Sequence, residues 1–197
     1  MGEKEEEMIK LILERLVLLL LMSGVVVPAT AQNNALKKAD QQAEVAVRSF
    51  LNIWLVDRDV KRATGYLSTD KNLCAPTEMP DSFQLTARST ALTTLRKNLR
   101  RPLKWMSRRK SLSAAISAFP SDRQSVDGGV LVNNSPEFRL FRVTERVLNN
   151  CKAPVNSPLY EAVFTFGLGP DRGAGMYFVF HKEREQWRIV LYDWLAQ

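Results

Sequence analysis

The sequence predicts an α+β domain in which N-terminal helices pack on one face of an antiparallel sheet. Helical periodicity comes first along the chain, and strand-like alternation dominates its last third. Short polar connectors join the final strands, which favours antiparallel pairing. Helices gathered first and strands gathered last indicate separate layers rather than alternating βαβ units.

The carboxyl-terminal stretch predicts three consecutive strands, at 160–168, 174–182 and Gln186–Leu195. In the first, Tyr160, Ala162 and Phe164 share one face, the period of two that a pleated strand shows. Both faces of the second strand are apolar, so both need cover. Regular alternation in the third strand would place Trp187, Ile189 and Leu191 on one face and Arg188, Val190, Tyr192 and Trp194 on the other.

The helical patterns precede these strands. Apolar residues spaced by three and four predict an amphipathic helix over 36–55; they are Leu36, Ala39, Ala43, Ala46, Val47, Phe50 and Trp54. Asp57 or Asp59 is expected to cap a second, short helix. Two prolines and Cys74 predict a loop over 70–82. A third helix is expected over 82–101 and ends at Pro102; its apolar stripe comprises Leu85, Leu92, Leu95 and Leu99.

The middle of the chain leaves alternatives open. Residues 103–119 fit either a helix, with Leu112, Ala115, Ile116 and Phe119 on one face, or a strand at the sheet edge. The stretch 130–132 is short and apolar. Residues 138–148 predict a strand whose alternation slips by one between Leu140 and Phe141, as a β-bulge would cause.

The amino terminus has the pattern of an export signal. Basic residues precede an apolar run at 16–27, which Pro28-Ala29-Thr30-Ala31 follows. We therefore expect residues 1–31 to be a signal peptide, residues 32–197 to form one domain, and the protein to be periplasmic or secreted. An uncleaved membrane anchor is the alternative, but a dozen apolar residues fall short of the roughly 20 that cross a bilayer. Translation beginning at Met1 or at Met8 stays open.

The net charge indicates the class of partner, and the cysteine content bears on disulfide and metal sites. The whole chain carries +7, and removal of three basic and five acidic side chains with residues 1–31 leaves 25 basic and 16 acidic ones, or +9. This charge favours anionic surfaces. In an exported protein Cys74 and Cys151 are expected to form a disulfide, worth roughly 4 kcal/mol in the chain-entropy model; two separate thiols are the alternative. Two distant cysteines and one histidine are too few for a metal site, and we expect no cofactor.

Two segments carry a resemblance to a known superfamily. The run Phe50-Leu51-Asn52-Ile53-Trp54-Leu55, then Val56-Asp57-Arg58-Asp59 and Tyr66-Leu67-Ser68, resembles the opening of the nuclear transport factor 2-like superfamily. Gln186-Trp187-Arg188-Ile189-Val190 with Tyr192-Asp193-Trp194 resembles its final strand. The resemblance implies a cone in which helices and a curved sheet surround a cavity, similarity to small secreted bacterial members, and a homodimer. Residues 103–134 depart from the pattern.

Enzymes of that superfamily use a buried Asp or an Asp/His pair for proton transfer, which makes His181 a candidate. His181 shares a predicted strand face with Tyr177, and Asp193 lies on the next strand. The competing interpretation of His181 is a solvated strand end beside the charged turn at Lys182.

The strongest polar feature is a basic run without any acidic residue; it comprises Arg88, Arg96, Lys97, Arg100, Arg101, Lys104, Arg108, Arg109 and Lys110. Arg96, Arg100 and Lys104 recur at four-residue spacing. The candidate ligand-binding residues are thus Arg96, Arg100, Arg101 and Lys104, with Tyr177 added for a cavity. A solvated helix face explains the run as well as a contact surface does.

Two functions follow from the sequence. The first is an exported, non-catalytic binding domain of the cell envelope or periplasm that contacts an anionic lipid, a polysaccharide or an acidic protein through residues 88–110. Nucleic acid is disfavoured as a partner, since an exported protein would seldom meet it. The second is a small cavity enzyme that performs proton transfer, as an isomerase or dehydratase does.

Overall fold

The structure, a computed structural model, describes residues 29–76, 83–116, 129–143, 158–169 and 172–195. The chain divides into two compact units, Met1–Ala39 and Asp40–Gln197. The described residues of the first unit, 29–39, are helical throughout. The second unit contains the sheet and the other helices. The predicted signal peptide lies outside the described residues except for 29–31, and it stays a prediction.

The helices are α1 (Ala29–Leu51), α2 (Val60–Thr64), α3 (Arg88–Leu103) and α4 (Leu112–Ala115), and a π-helix (Asn52–Val56) directly continues α1. The predicted cap of the second helix is confirmed for Asp59, whose carboxylate accepts a hydrogen bond from the Arg62 backbone N–H at 2.9 Å. The π-helix buries Trp54 and Leu55, so the widened turn serves the core.

The strands are β1 (Asn72–Pro76), β2 (Phe83–Ala87), β3 (Val130–Asn134), β4 (Arg139–Val143), β5 (Leu159–Gly169), β6 (Arg172–Glu183) and β7 (Gln186–Leu195). In the described chain β1 and β2 form an antiparallel hairpin, and β3 to β7 form a five-stranded antiparallel sheet in sequence order. The predicted α+β class, with helices and an antiparallel sheet, is confirmed.

One face of the five-stranded sheet packs against residues of α1 and the π-helix. Phe50 and Trp54 are fully buried, and their rings lie 4.9 and 5.9 Å from that of Phe178. Trp54 also contacts Phe164 edge-on at 5.7 Å. Burying apolar surface stabilises the fold by about 25 cal/mol per Å². Because these rings are large, their layer is the main hydrophobic core.

The opposite face of the sheet has its own core, to which β1 contributes. A cluster of buried residues joins this strand to the sheet; it comprises Cys74, Phe141, Val143, Leu159, Val163, Tyr177, Val179, Val190 and Leu191. Both faces of β6 are therefore covered, as its apolar residues on both sides predicted.

The sequence predicted the wrong structure for 72–87. The expected loop over 70–82 contains β1, and the expected third helix begins at Arg88 rather than at residue 82. Leu85, expected on the buried stripe of that helix, is 59% exposed on β2, where it pairs with Cys74. Five-residue strands are too short to show a period of two clearly. The prolines in this stretch favoured a loop over a hairpin in the prediction.

Pro102 does not end the third helix, which continues to Leu103. The proline is the penultimate helical residue and is buried. Beyond it, the backbone N–H groups of Trp105 and Met106 both donate to the Pro102 carbonyl at 3.0 Å, so the chain closes a turn there. The helical alternative for 103–119 is confirmed at α4, where Leu112 and Ala115 are buried.

One β-bulge that the sequence did not predict lies between β6 and β7. In the pairing of β6 with β7, Val179 faces Leu191 and Phe180 faces Ile189, so Val190 is the extra residue. Tyr192 therefore shares the face of Ile189, and the regular alternation predicted for this strand was wrong. The slip predicted between Leu140 and Phe141 coincides with a register shift in the pairing of β3 with β4, where Phe141 pairs with Leu131 and Leu140 pairs with Asn133, so the extra residue is Val132 on β3. Both Leu140 and Phe141 are buried because each sheet face is covered.

Candidate functional site

Helix α3 is amphipathic, and its outer face is basic. Ala91, Leu95, Asn98, Leu99 and Pro102 are buried on the inner side. The predicted site residues Arg96, Arg100 and Arg101 are all exposed, together with Lys97. Two arginines in the last turn complement the negative end of the helix dipole, which allows them to gather there.

The chain between α3 and α4 continues the run of exposed cations. Lys104, Arg108, Arg109 and Lys110 are exposed in the connecting segment 104–111. We call the eight exposed cations the basic surface; they are Arg96, Lys97, Arg100, Arg101, Lys104, Arg108, Arg109 and Lys110. The structure thus brings four of the five predicted ligand residues into this surface.

Arg88, the first cation of the run, belongs to the scaffold instead. Its Nε donates to the Ser68 carbonyl at 2.8 Å, and its backbone N–H donates to the Lys71 carbonyl at 2.8 Å. Arg88 thereby ties the start of α3 to the chain that leads into β1.

The charges of the basic surface are not compensated within the described part of the chain. None of its eight side chains forms an ion pair there, whereas Arg48, Arg62, Arg142 and Lys182 all pair with carboxylates. The cause is in the sequence, since no acidic residue occurs between Asp81 and Asp122. Like charges four residues apart on a helix cost about 0.2–0.5 kcal/mol per pair, a cost that this helix bears.

Two buried side chains hold α3 in place. The indole Nε1 of Trp54 donates to the Leu99 carbonyl at 2.7 Å, and the Tyr192 hydroxyl donates to the Ala91 carbonyl at 3.0 Å. Burial, followed by the nearby Asp193 charge, raises the pKa of Tyr192, so its hydroxyl keeps the donated proton. The basic surface therefore stands on a rigid support.

Arg58 connects the π-helix region to the basic segment. Its backbone is left-handed, with φ of 58°, and its Nη2 donates to the Met106 carbonyl. Its Nε is buried without a hydrogen-bond partner in the described structure. Arg58 thus positions the turn that carries Trp105, whose side chain is 74% exposed. The sequence analysis did not select Trp105, although an aromatic residue amid cations was the signal that could have found it.

Tyr177, the fifth predicted ligand residue, is not part of the basic surface. It is only 3% exposed and belongs to the buried cluster on the β1 side of the sheet. Its cross-strand neighbours are Val163 and Asp193. The structure places Tyr177 in a packed interior.

His181 is buried, at 7% exposure, so the solvated strand end expected for it was wrong. Burial lowers its pKa, against the opposing charges of Glu183 and Asp70. Its cross-strand neighbour is Arg188, whereas Asp193 faces Tyr177. Four residues of strand separate His181 from that level, about 13 Å, so the register does not form the His181/Asp193 pair.

A groove of about 430 Å³ lies elsewhere in the second unit, against the start of β7. Its walls include Ala46, Ile53, Arg62, Tyr66, Trp187 and Arg188. Arg188 donates to the carbonyl of Gly65 and to the side-chain oxygen of Gln186, and the Tyr66 hydroxyl donates to Ser49 at 3.1 Å. The polar groups of Arg188 and Tyr66 therefore form hydrogen bonds with other residues of the protein at the groove.

The polar face of α1 meets the sheet through Asp40, which the sequence analysis did not identify. Asp40 accepts a hydrogen bond from the buried Tyr160 hydroxyl at 2.8 Å and pairs with Arg142 at 3.4 Å. Burial and then the bond to Asp40 raise the pKa of Tyr160. This arrangement is a structural clasp, because its donors and acceptor satisfy one another.

The structure describes only one of the two cysteines that were predicted to form a disulfide. Cys74 is buried on β1, but Cys151 lies outside the described residues, so their disulfide stays a prediction. The described residues contain no cluster of three or more metal-ligating side chains. No described helix combines the length and apolar character that crossing a bilayer requires.

No protein-family model, curated protein or solved structure matches this chain.

Proposed function

We propose that this protein is an exported binding domain that contacts an anionic partner of the cell envelope through its basic surface. One observation carries the proposal: eight exposed cations on α3 and the segment after it have no ion pair in the described chain. A solvated helix face usually mixes both signs of charge. An unmixed surface on a buried, hydrogen-bonded support is better suited to a partner that neutralises it.

The support of the surface adds to this proposal. Leu99 is held by Trp54 and the Met106 carbonyl by Arg58, so the two halves of the basic surface are fixed to the same region of the fold. Fixing the surface before contact reduces the entropy that association costs. The cost of like-charge repulsion would be recovered on binding.

A cavity enzyme is the weaker proposal. The face expected to surround a cavity is filled by Phe50, Trp54 and Phe178 at ring-contact distances. The candidate base His181 and Asp193 lie at different levels of the β6–β7 ladder. A domain whose interior is packed with aromatic rings leaves binding at the surface as its better-supported activity.

The nuclear transport factor 2-like architecture belongs to the proposal too. Its support is a long helix, a short capped helix and a carboxyl-terminal antiparallel hairpin in that order. Export through residues 1–31 is likewise proposed, on the pattern at 16–31.

The test compares charge reversal at two places. In the full chain, Arg100→Glu with Arg101→Glu should weaken retention on an immobilised polyanion, heparin, so that the variant elutes at lower salt. The matched control is Lys61→Glu with Lys71→Glu, which makes the same change in net charge at exposed positions outside the basic surface. The control should elute close to the unmodified protein.

Equal loss in the two double variants would show that net charge alone drives retention and would overturn the proposal. Elution of all three proteins at the lowest salt, together with absence of binding to anionic vesicles and to polyglutamate, would overturn it as well. Because Arg100 and Arg101 are exposed, unchanged circular dichroism is expected in both variants.

A further inference from the structure

We infer that the anionic partner is a lipid bilayer, and that Trp105 enters its interface while the basic surface lies against the headgroups. This inference rests on the proposed function and specifies its partner. It starts from an unusual placement: the large side chain of Trp105 projects 74% exposed from the turn that closes α3. The neighbouring Leu103 and Met106 are half-exposed.

The segment around Trp105 combines apolar and cationic side chains. Lys104 lies directly before the indole, and Arg108, Arg109 and Lys110 follow within a turn or two of chain. Tryptophan favours the headgroup level of a membrane because its ring is apolar and its N–H is polar. Lys and Arg at the same level gain from the negative surface potential of anionic lipid.

The backbone holds this segment in position. The N–H of Trp105 donates to the Pro102 carbonyl, and the carbonyl of Met106 accepts from Arg58. On the far side, Leu112 and Ala115 of α4 are buried and anchor the end of the basic segment. Since both ends of the segment are attached, the exposed indole is presented rather than folded back onto the protein.

The chemistry of this segment favours a bilayer over a polysaccharide or an acidic protein. Residues 103–111 contain no Asp, Glu, Asn or Gln, the side chains whose oxygens would accept hydrogen bonds from sugar hydroxyls. Eight long cationic side chains spread over a helix face and a turn match a continuous negative surface rather than discrete carboxylates. Each cation near such a surface adds about fivefold to affinity.

The test follows Trp105 itself. The full chain is mixed with vesicles of phosphatidylglycerol and phosphatidylcholine, with and without bromine on the upper acyl chain of the phosphatidylcholine. Bromine quenches an indole that reaches the acyl boundary, so the unmodified protein should lose more fluorescence than Trp105→Phe. Trp105→Phe retains Trp54, Trp187 and Trp194, so the difference in quenching between the two proteins belongs to Trp105.

Affinity supplies the second measurement. Trp105→Ala should bind phosphatidylglycerol vesicles about tenfold more weakly, because covering an indole removes a large apolar area from water. Leu85→Ala is the matched control, since Leu85 is 59% exposed on β2 and should have no effect. Vesicles of phosphatidylcholine alone measure, for subtraction, any binding through the apolar stretch 16–27.

The outcomes separate this inference from the proposed function. Salt-sensitive binding to phosphatidylglycerol vesicles that Trp105→Ala leaves unchanged, without quenching specific to Trp105, overturns entry of the indole and retains the anionic-partner proposal. Preference for heparin or polyglutamate over vesicles overturns the bilayer as partner. Absence of binding to vesicles, heparin and polyglutamate alike overturns both proposals.

Discussion

Trp54 donates its indole N–H to the backbone carbonyl of Leu99 at 2.7 Å, and this buried bond joins the main aromatic core to the helix that carries the basic surface. The π-helix that contains Trp54 also buries Leu55. The residue that builds the core thus positions the surface proposed to bind, so stability and binding geometry are connected at one side chain.

Replacement of Trp54 by Phe should lower the free energy of unfolding by about 1–3 kcal/mol. The smaller ring leaves the Leu99 carbonyl without its buried donor and opens space in the core. Urea denaturation measures the loss, with Trp105→Phe as the exposed control that should change stability by no more than about 0.5 kcal/mol. Equal effects of the two substitutions would contradict the role assigned to the Trp54–Leu99 bond.

Asp40 and Tyr160 should be energetically coupled. Their hydrogen bond of 2.8 Å joins α1 to β5, and the Tyr160 side chain is buried. Because the acceptor is a carboxylate, we expect a coupling energy of about 1–2 kcal/mol in a double-mutant cycle of Asp40→Ala and Tyr160→Phe. Additive losses would mean that the bond contributes nothing beyond the two separate side chains. The same cycle with Asp57→Ala in place of Asp40→Ala should be additive.

The single histidine makes the stability of the protein depend on pH. Burial lowers the pKa of His181 below its ordinary 6.5, so the unfolded chain takes up the proton first as the pH falls. Stability is therefore complete above pH 6.5 and decreases as the pH falls from there towards the lowered value. NMR titration of this one imidazole gives the pKa directly, and His181→Gln should reduce the loss over that window. A measured pKa at or above 6.5 would refute the burial argument.

The mass of the protein recovered from the periplasm or the medium tests two predictions at once. A disulfide between Cys74 and Cys151 would make the chain about 2 Da lighter than its reduced form, because two hydrogens are lost when the bond forms. Cleavage after Ala31 would give a mature chain that begins at Gln32. Alkylation of both cysteines without prior reduction would exclude the bridge.

The sequence predicted the layers of the fold better than their details. The aromatic alternation of β5 and β6 and the spacing of Ala43, Val47 and Phe50 on α1 were strong signals, because long elements repeat their pattern several times. The hairpin of β1 and β2 was missed because five-residue strands repeat it barely twice. The Val190 bulge was missed because both registers of β7 present apolar residues to a covered face.

The basic surface was predictable, but its boundaries were not. Sequence spacing identified Arg96, Arg100 and Lys104, and the lack of any acid between Asp81 and Asp122 is visible without coordinates. The exclusion of Arg88 and the presentation of Trp105 depend on tertiary bonds, those of Arg88 to Ser68 and of Arg58 to Met106. Contacts between residues distant in sequence leave no periodic pattern.

The salt dependence of vesicle binding decides whether the basic surface binds an anionic bilayer. The affinity of the full chain for phosphatidylglycerol vesicles, corrected for phosphatidylcholine vesicles, is measured over a series of salt concentrations. We expect a steep fall in affinity with salt and a clearly shallower fall for Arg100→Glu with Arg101→Glu. Affinity that is independent of salt, or a slope that the two substitutions leave unchanged, would contradict the proposed binding.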